Sequence, residues 1–272
     1  VAFTPMRNRP MTLIAEPLHA CGLVESSWVR ARAACFARHT HDELVLGANL
    51  AGHEQIWLDG KHLEVPPGAV TLYNPLAVQA STFGPQGVEY ISLHLDINAL
   101  QRTMREHDLG PGHGCPTFEQ GVLQQPALYR SIIDFAGAAT VAEQEAALWQ
   151  LLAELFEQPA SAKGEQAPAI EHSVTLMRTH LDQRLTLEQL ARAAGLSKFH
   201  FVRCFKKAMG LGPLQYHMQL RLIEARRRLR TGAHPRDVAL GLGFYDQSHF
   251  INAFGRVMGI TPTAYSATFR RP

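Results

Sequence analysis

The sequence predicts an α+β chain in two parts: an amino-terminal β-barrel with two helices after it, and an all-α carboxyl-terminal domain of two helix-turn-helix units. Three observations predict this. Apolar and polar residues alternate in short runs through residues 26–95, as half-buried strands do. The period changes to helical from about residue 97. Most specific is a repeat, "HFVRCFKKAMGLGPLQY" at 200–216 over "HFINAFGRVMGITPTAY" at 249–265. The boundaries that follow are 1–120 for the barrel, 121–158 for a helical pair that dimerises, 159–168 for a linker and 169–272 for the tandem helical units.

Taken in order, "SSWVRARAACF", "ELVLGANL", "HEQIWLDGKHLEV", "GAVTLYNP" and "GVEYISLHLD" are expected strands. Asp59-Gly60 between two such runs predicts a two-residue hairpin turn. Many short strands separated by Gly and Pro suit a barrel or sandwich. "INALQRTMREH" is expected to be helical, and "GPGHG" at 110–114 is a glycine-rich loop without the strand–helix context a phosphate cradle needs. Helical patterns occupy roughly 126–138 and 141–157. The second carries Leu148, Leu151, Leu152, Leu155 and Phe156 in a stripe, which is expected to meet a second chain, since an intermolecular helix seam wants such leucines. "EQPASAKGEQAPA" is polar and rich in Pro and Ala, a flexible linker.

Composition limits what these parts do. The chain has 272 residues, 46% of them apolar, enough for a buried core. It holds no apolar run approaching the roughly 18 residues of a membrane span. The start lacks a long apolar segment, and the four cysteines are scattered, so a reducing, cytoplasmic setting is expected and a cysteine zinc site is not. A net charge of +2 hides a division: residues 169–272 hold 16 Lys and Arg against 6 Asp and Glu, whereas residues 1–168 hold 10 against 18. A basic end of this kind predicts a polyanion partner.

The repeat gives that partner a structure to meet. At an offset of 49, His200, Phe201, Phe205, Met209, Gly210, Pro213 and Tyr216 fall on His249, Phe250, Phe254, Met258, Gly259, Pro262 and Tyr265. Upstream the offset is 48, Tyr245 being the one extra residue. Each unit reads as helix, tight turn, helix. Thr186 and Gln189 form a capping box, Gly195 permits the turn and Ser197 caps the second helix. In the second unit Pro235 suits a first helical turn, Gly243 turns the chain and Asp246 caps. In DNA-binding examples of this module the second helix enters the major groove. Ser197, Lys198, Phe199, His200, Arg203, Lys206 and Lys207 are therefore expected DNA-binding residues. Gln247, Ser248, His249, Asn252 and Arg256 are their counterparts in the second unit. Amides, hydroxyls and imidazoles suit base edges, Arg and Lys suit guanine and phosphate, and Phe199 suits a thymine methyl. Residues 214–230 form one long helix between the units, about 25 Å at 1.5 Å per residue.

Over about 169–272 the chain resembles the AraC/XylS family of bacterial transcription regulators. "DVALGLGFYDQSHFINAFGRVMGITPTAY" carries the family's Gly-Phe, Asp-x-Ser-x-Phe and Gly-x-x-Pro-x-x-Tyr pattern, and "LTLEQLARAAGLSKFHFVRCFKKAMG" matches its first unit. The resemblance implies binding to double-stranded DNA, often to activate promoters, and with it contact to RNA polymerase. Asn252 stands where the family often has Arg, Gly255 where Lys is common and Ser266 where Arg is usual. The first unit, with Arg203 and Lys206, is thus expected to carry more of the affinity.

The acidic half shows a weaker likeness, over about 25–100, to the cupin-like sensor barrel of many AraC-family proteins. It rests on "HTHDE" (39–43) and on "GKHLEVPPG" (60–68), which keeps a glycine, five-residue, Pro-x-Gly spacing. His39, His41, Glu43 and His94 are of ligand type, but the remaining cupin ligand positions hold Val45, Leu46 and Thr71. No metal or other cofactor is expected. A small-molecule effector is, with His39, His41, Glu43, Trp57, Tyr73 and His94 as its candidate site, because barrel mouths place a few polar groups in an apolar wall. No nucleophile elbow or zinc-hydrolase motif occurs, so the chain is expected to be a homodimeric, effector-controlled regulator and not an enzyme. A barrel that only dimerises, and a metal-dependent cupin enzyme fused to a DNA reader, are the alternatives.

Overall fold

The structure, a computed structural model, describes residues 16–106, 117–158 and 168–269. The glycine-rich loop at 110–114, Cys115 and all but the last residue of the expected linker lie outside the described residues. The chain forms two compact units. One holds nearly all the sheet and the first four helices; the other holds the remaining helices with residues 37–40.

The first unit is built on a seven-stranded antiparallel sheet. Its strands are β1 (Leu23–Ala31), β2 (Cys35–His39), β3 (Leu44–Leu58), β4 (Lys61–Val65), β5 (Val70–Tyr73), β6 (Gln79–Leu95) and β7 (Gly121–Leu123). The order is β1-β6-β3-β5-β7, with β2 added to β6 and β4 to β3. Asp59 and Gly60 both have positive φ, 50° and 81°, the backbone a primed two-residue turn requires. Two runs expected as separate strands, 43–50 and 53–58, are one strand, β3. Irregularities at Asn49/Ala51 and Gly52/Glu54 bend it without ending it, as bulges do. Asn49 holds that bend, donating from Nδ2 to the carbonyls of Val65 at 2.7 Å and Gly52 at 3.0 Å. In the same way β6 starts eight residues earlier than the alternation suggested, running through the Gly84-Pro85 pair.

The sheet has two buried faces. Leu44, Leu46, Ala48, Leu72, Leu93 and Leu95 point to a helical layer, whereas Val45, Ile56, Leu58, Val65 and Tyr73 enclose the barrel interior. The helical layer comprises α1 (Glu16–Ala20), α2 (Ile97–Glu106), α3 (Pro126–Gly137) and α4 (Val141–Phe156). Thr140 and Glu143 start α4 with a reciprocal capping box. Here the leucine expectation needs correction. Leu148, Leu151, Leu152 and Leu155 are each 1% exposed or less, packed in one cluster with the sheet and α3. An apolar sheet face has to be covered, here by helices of its own chain, and burying a leucine stabilises by about 1.5–3 kcal/mol. What α4 leaves exposed is Val141, Ala142, Glu143, Ala146, Gln150 and Ala153.

The second unit contains α5 (Pro168–Thr179), α6 (Leu187–Ala193), α7 (Lys198–Met209), α8 (Pro213–Arg230), α9 (Pro235–Gly241), α10 (Gln247–Met258) and α11 (Pro262–Ala267). The repeat in sequence is a repeat in packing. Phe201, Phe205 and Tyr216 are fully buried with successive ring centroids 5.4 and 5.6 Å apart. Phe250, Phe254 and Tyr265 are buried likewise at 5.6 and 5.4 Å. Equal spacing at i and i+4 puts two rings on one helix face, and the tyrosine of the next helix closes each stack.

Candidate functional site

Side-chain caps fix the start of both second helices. Ser197 Oγ accepts the N–H of His200 at 3.4 Å, and Asp246 Oδ1 accepts that of His249 at 2.7 Å. With the phenylalanines turned inward, the opposite face is left to solvent. Ser197, Lys198, Phe199, His200, Arg203, Lys206 and Lys207 are all exposed, as are Gln247, Ser248, His249, Asn252 and Arg256. Phe199 is 79% exposed, and Arg203 and Lys206 continue its side of the helix at i+4 and i+7. On α10 the corresponding side carries Ser248, Asn252 and Gly255. The cationic stripe of α7 thus has an almost neutral counterpart.

Some of these side chains are already engaged. Lys198 Nζ lies 3.7 Å from Glu188 Oε2, an exposed pair of little strength. His200 Nε2 is 3.4 Å from Cys204 Sγ. His249 folds back over its own turn: Nδ1 accepts the Tyr245 N–H at 3.3 Å and the ring lies 5.6 Å from that of Phe244. An Nδ1 that accepts leaves the proton on Nε2, so this imidazole offers a donor outward.

The long helix α8 ties the two helix-turn-helix halves of the helical unit together. Arg221, 5% exposed, donates to the carbonyl of Gly243 at 3.2 Å and to that of Gln183. Next to it, burial and then the Arg221 charge lower the His217 pKa to about 4, so its ring is neutral and lies 3.1 Å from the His180 carbonyl. Glu224 is bonded by Arg227 and Arg228, each at 2.7 Å, which holds its carboxyl below the usual range. Tyr245, the extra residue of the second unit, is 74% exposed with the Arg184 guanidinium 5.0 Å from its ring centroid. It lines a cleft of about 520 Å³ with Arg184, Arg221 and His249.

In the sheet unit, strand register decides which expected effector residues meet. His94 pairs with Val45 on β3 and with Glu25 on β1, so it shares the interior face. The structure brings it together with His41 and Glu43. Glu43 Oε2 lies 3.7 Å from His94 Nδ1 and 3.9 Å from His41 Nδ1, and the two imidazoles meet edge to face at 4.9 Å. One donor atom from each of the three falls within 4.8 Å of the others, so these are the described residues able to hold a metal. Tyr73 belongs to the same interior. Trp57 does not share it, because it alternates with Ile56 and Leu58, which point inward. His39 ends β2 with Nδ1 2.8 Å from its own strand's Ala37 carbonyl, outside the three-residue cluster.

The interior also holds polar groups that periodicity did not single out. Glu54 is 6% exposed, and burial raises its pKa to about 7 against the lowering effect of a Ser81 hydrogen bond. Burial and the Glu54 charge raise both Tyr73 and Tyr90. Ser92 Oγ lies 3.3 Å from His94 Nε2. Tyr90, Ser92 and His94 alternate along β6, and the pairing of β3 with β6 and β5 brings Glu54 and Tyr73 to the same interior.

Comparison with known proteins agrees with this architecture. Residues 29–156 match the AraC-like ligand binding domain and residues 190–268 a helix-turn-helix domain. An uncharacterised HTH-type transcriptional regulator of Bacillus subtilis, YbfI, is 27% identical over 257 residues, 90% of each chain. The HTH-type transcriptional activator AarP of Providencia stuartii is 31% identical over 101 residues, 37% of this chain and 75% of AarP. Other curated regulators match over only about 100 residues, the chain spanning 31% and 30% of their length. The solved structure of ToxT from Vibrio cholerae, with unsaturated fatty acid bound, shares the fold at TM-score 0.60 and 10% identity, over 90% of this chain and 95% of ToxT. Fold and site define a DNA-binding transcription regulator under the control of a ligand-binding domain. The chain belongs to the AraC/XylS family.

Proposed function

We propose that α7 and α10 enter successive major grooves of double-stranded DNA, with α7 supplying most of the affinity. Ser197, Phe199, His200 and Arg203 meet base edges, Lys206 and Lys207 meet phosphates, and Lys198 leaves Glu188 to do the same. From α10, Gln247, Ser248, Asn252 and the outward Nε2 of His249 read bases, and Arg256 reaches the backbone. The observation that carries this is that every one of these side chains is exposed on a capped helix whose opposite face is a buried aromatic stack. An α8 of 18 residues spans about 27 Å, comparable with the roughly 34 Å of one DNA turn.

The effector binds in the barrel interior among His41, Glu43, Tyr73 and His94, with Glu54 and Tyr90 as further polar partners. It acts by binding one state of the protein more tightly than another, which is the only way a ligand moves an equilibrium. The protein acts as a homodimer, with the exposed face of α4, small apolar residues with Glu143 and Gln150, available to a second subunit, and contacts RNA polymerase at its promoters. The relatives' names as regulators support a role outside catalysis. Genomic footprinting followed by anisotropy titration on the recovered sites tests the DNA assignment. Tight, salt-sensitive binding that Arg203→Ala weakens is expected; equal affinity and equal salt slope for that variant would remove α7 from the interface. For the effector, thermal shift against metabolite pools is expected to find a stabilising compound whose effect is lost in Tyr73→Phe or Glu54→Gln.

A further inference from the structure

We propose that His41, Glu43 and His94 form a binding site for a divalent transition-metal ion of the zinc or iron(II) class. Two imidazoles and one carboxylate are a ligand set that these ions accept, with further positions left for water or other ligands. Three independent features of the structure point to it.

The first is the donor geometry. The three donor atoms lie within 4.8 Å of one another, with the Glu43 oxygen 3.7 and 3.9 Å from the two imidazole nitrogens. Those separations are too long for hydrogen bonds. Metal–ligand bonds of about 2.0–2.2 Å require donors somewhat closer than this, a movement within the reach of side-chain rotation. The second is an orphan atom. His94 is 6% exposed and its Nδ1, the atom facing Glu43, has no hydrogen-bond partner. A buried polar atom left unpaired costs about 1–3 kcal/mol, and coordination would satisfy it. Its Nε2 lies 3.3 Å from Ser92 Oγ, the kind of outer contact that orients a ligating imidazole.

The third is the local charge. Glu43 is 3% exposed and Glu25, across the ladder from His94, is 5% exposed. A buried carboxylate oxygen that faces two imidazole nitrogens is a donor set of the kind a divalent cation accepts. The backbone is also fixed there: Leu76, at φ 67°, donates its N–H to the His41 carbonyl at 2.6 Å. A non-glycine residue in the left-handed region is uncommon, and this one anchors the loop that presents His41. The ion would take three of the side chains given above to the effector site, so its uptake is measured with no effector present.

The test uses the purified 272-residue chain, stripped with chelator and titrated with Co²⁺, then with Zn²⁺ in competition. One equivalent of Co²⁺ per chain is expected, seen as visible ligand-field absorption that Zn²⁺ displaces. His94→Ala, Glu43→Gln and His41→Gln should each weaken uptake by more than the roughly 10–100-fold that outer-shell changes cost. His53→Gln, an exposed histidine away from the cluster, should leave it unchanged. Should His94→Ala fail to fold, the other two variants decide, their folding judged by retained β-sheet signal in far-ultraviolet circular dichroism and a cooperative melt of the sheet unit. No stoichiometric uptake by the wild type, or undiminished uptake by folded Glu43→Gln and His41→Gln, overturns the site. DNA affinity and effector-induced thermal shift are measured separately, so loss of this inference leaves the regulator assignment standing.

Discussion

Replacing Phe205 and Phe254 in turn by alanine tests whether the two helical units are built alike. Both rings are fully buried. Phe205 sits 5.4 Å from Phe201 and 5.6 Å from Tyr216; Phe254 sits 5.6 Å from Phe250 and 5.4 Å from Tyr265. Deleting a buried ring costs about 3–5 kcal/mol through lost burial and the cavity left behind. That range includes the roughly 0.5–1.5 kcal/mol that a favourable aromatic pair adds. Because the neighbours match, the two losses should agree within about 1 kcal/mol, each a large part of a typical stability of about 5–15 kcal/mol. Phe199, on the other face of α7 and 79% exposed, is the contrast. Its replacement should alter stability by no more than about 0.5 kcal/mol while weakening DNA binding. Urea unfolding followed by far-ultraviolet circular dichroism gives the stabilities, and anisotropy gives the affinities. A loss below about 1 kcal/mol at Phe254 beside a several-kcal/mol loss at Phe205 would refute the shared packing. A destabilised Phe199→Ala would refute its outward placement.

Arg203→Ala should weaken DNA binding by about 1–3 kcal/mol if the guanidinium reads a base, and Asn252→Arg, which adds a cation to the neutral face of α10, should tighten it and steepen the salt dependence. Gly195 and Gly243 both turn the chain at positive φ, 66° and 62°, but a Cβ at Gly195 meets open space, whereas one at Gly243 lies 2.3 Å from the Asp182 carbonyl oxygen. Gly195→Ala should therefore cost about 1–2 kcal/mol, the left-handed penalty alone, and Gly243→Ala distinctly more, as thermal melts would reveal. The Glu54 pKa is raised to about 7 by burial, so the folded sheet unit holds a proton that the unfolded chain has released. Its stability should fall as pH rises from about 4.5 to 7, by about 3 kcal/mol at most, and Glu54→Gln should flatten that slope. His217, lowered to about 4, acts with the opposite sign: the helical unit should lose stability as pH falls from about 6.5 towards 4, measured by hydrogen exchange of α8.

How much of this was legible in the sequence differs between the two units. The helical unit could be read almost residue by residue. Capping pairs such as Thr186/Gln189, turn glycines and i, i+4 aromatics are local, their partners lying within a few positions, and duplication repeated the same message at an offset of 49. The sheet unit could be read only as strands. The leucines of α4 are an apolar stripe whether their partner is a second chain or their own sheet, and periodicity does not distinguish the two. Tertiary packing assigned them to the core that α4 shares with α3 and the sheet. Trp57 and Tyr73 looked equivalent until the bulges of β3 fixed opposite faces for them, and Gly195 and Gly243 looked equivalent until the Asp182 carbonyl was found against one. His41 and Glu43 are two positions apart, but His94 reaches them only through the pairing of β6 with β3. The sequence alone determined the elements of the helical unit and the outward faces of α7 and α10, because those follow from contacts along a single helix. The tertiary structure decided which buried polar groups share a cavity, because that depends on strand register, to which residues fifty positions apart contribute equally.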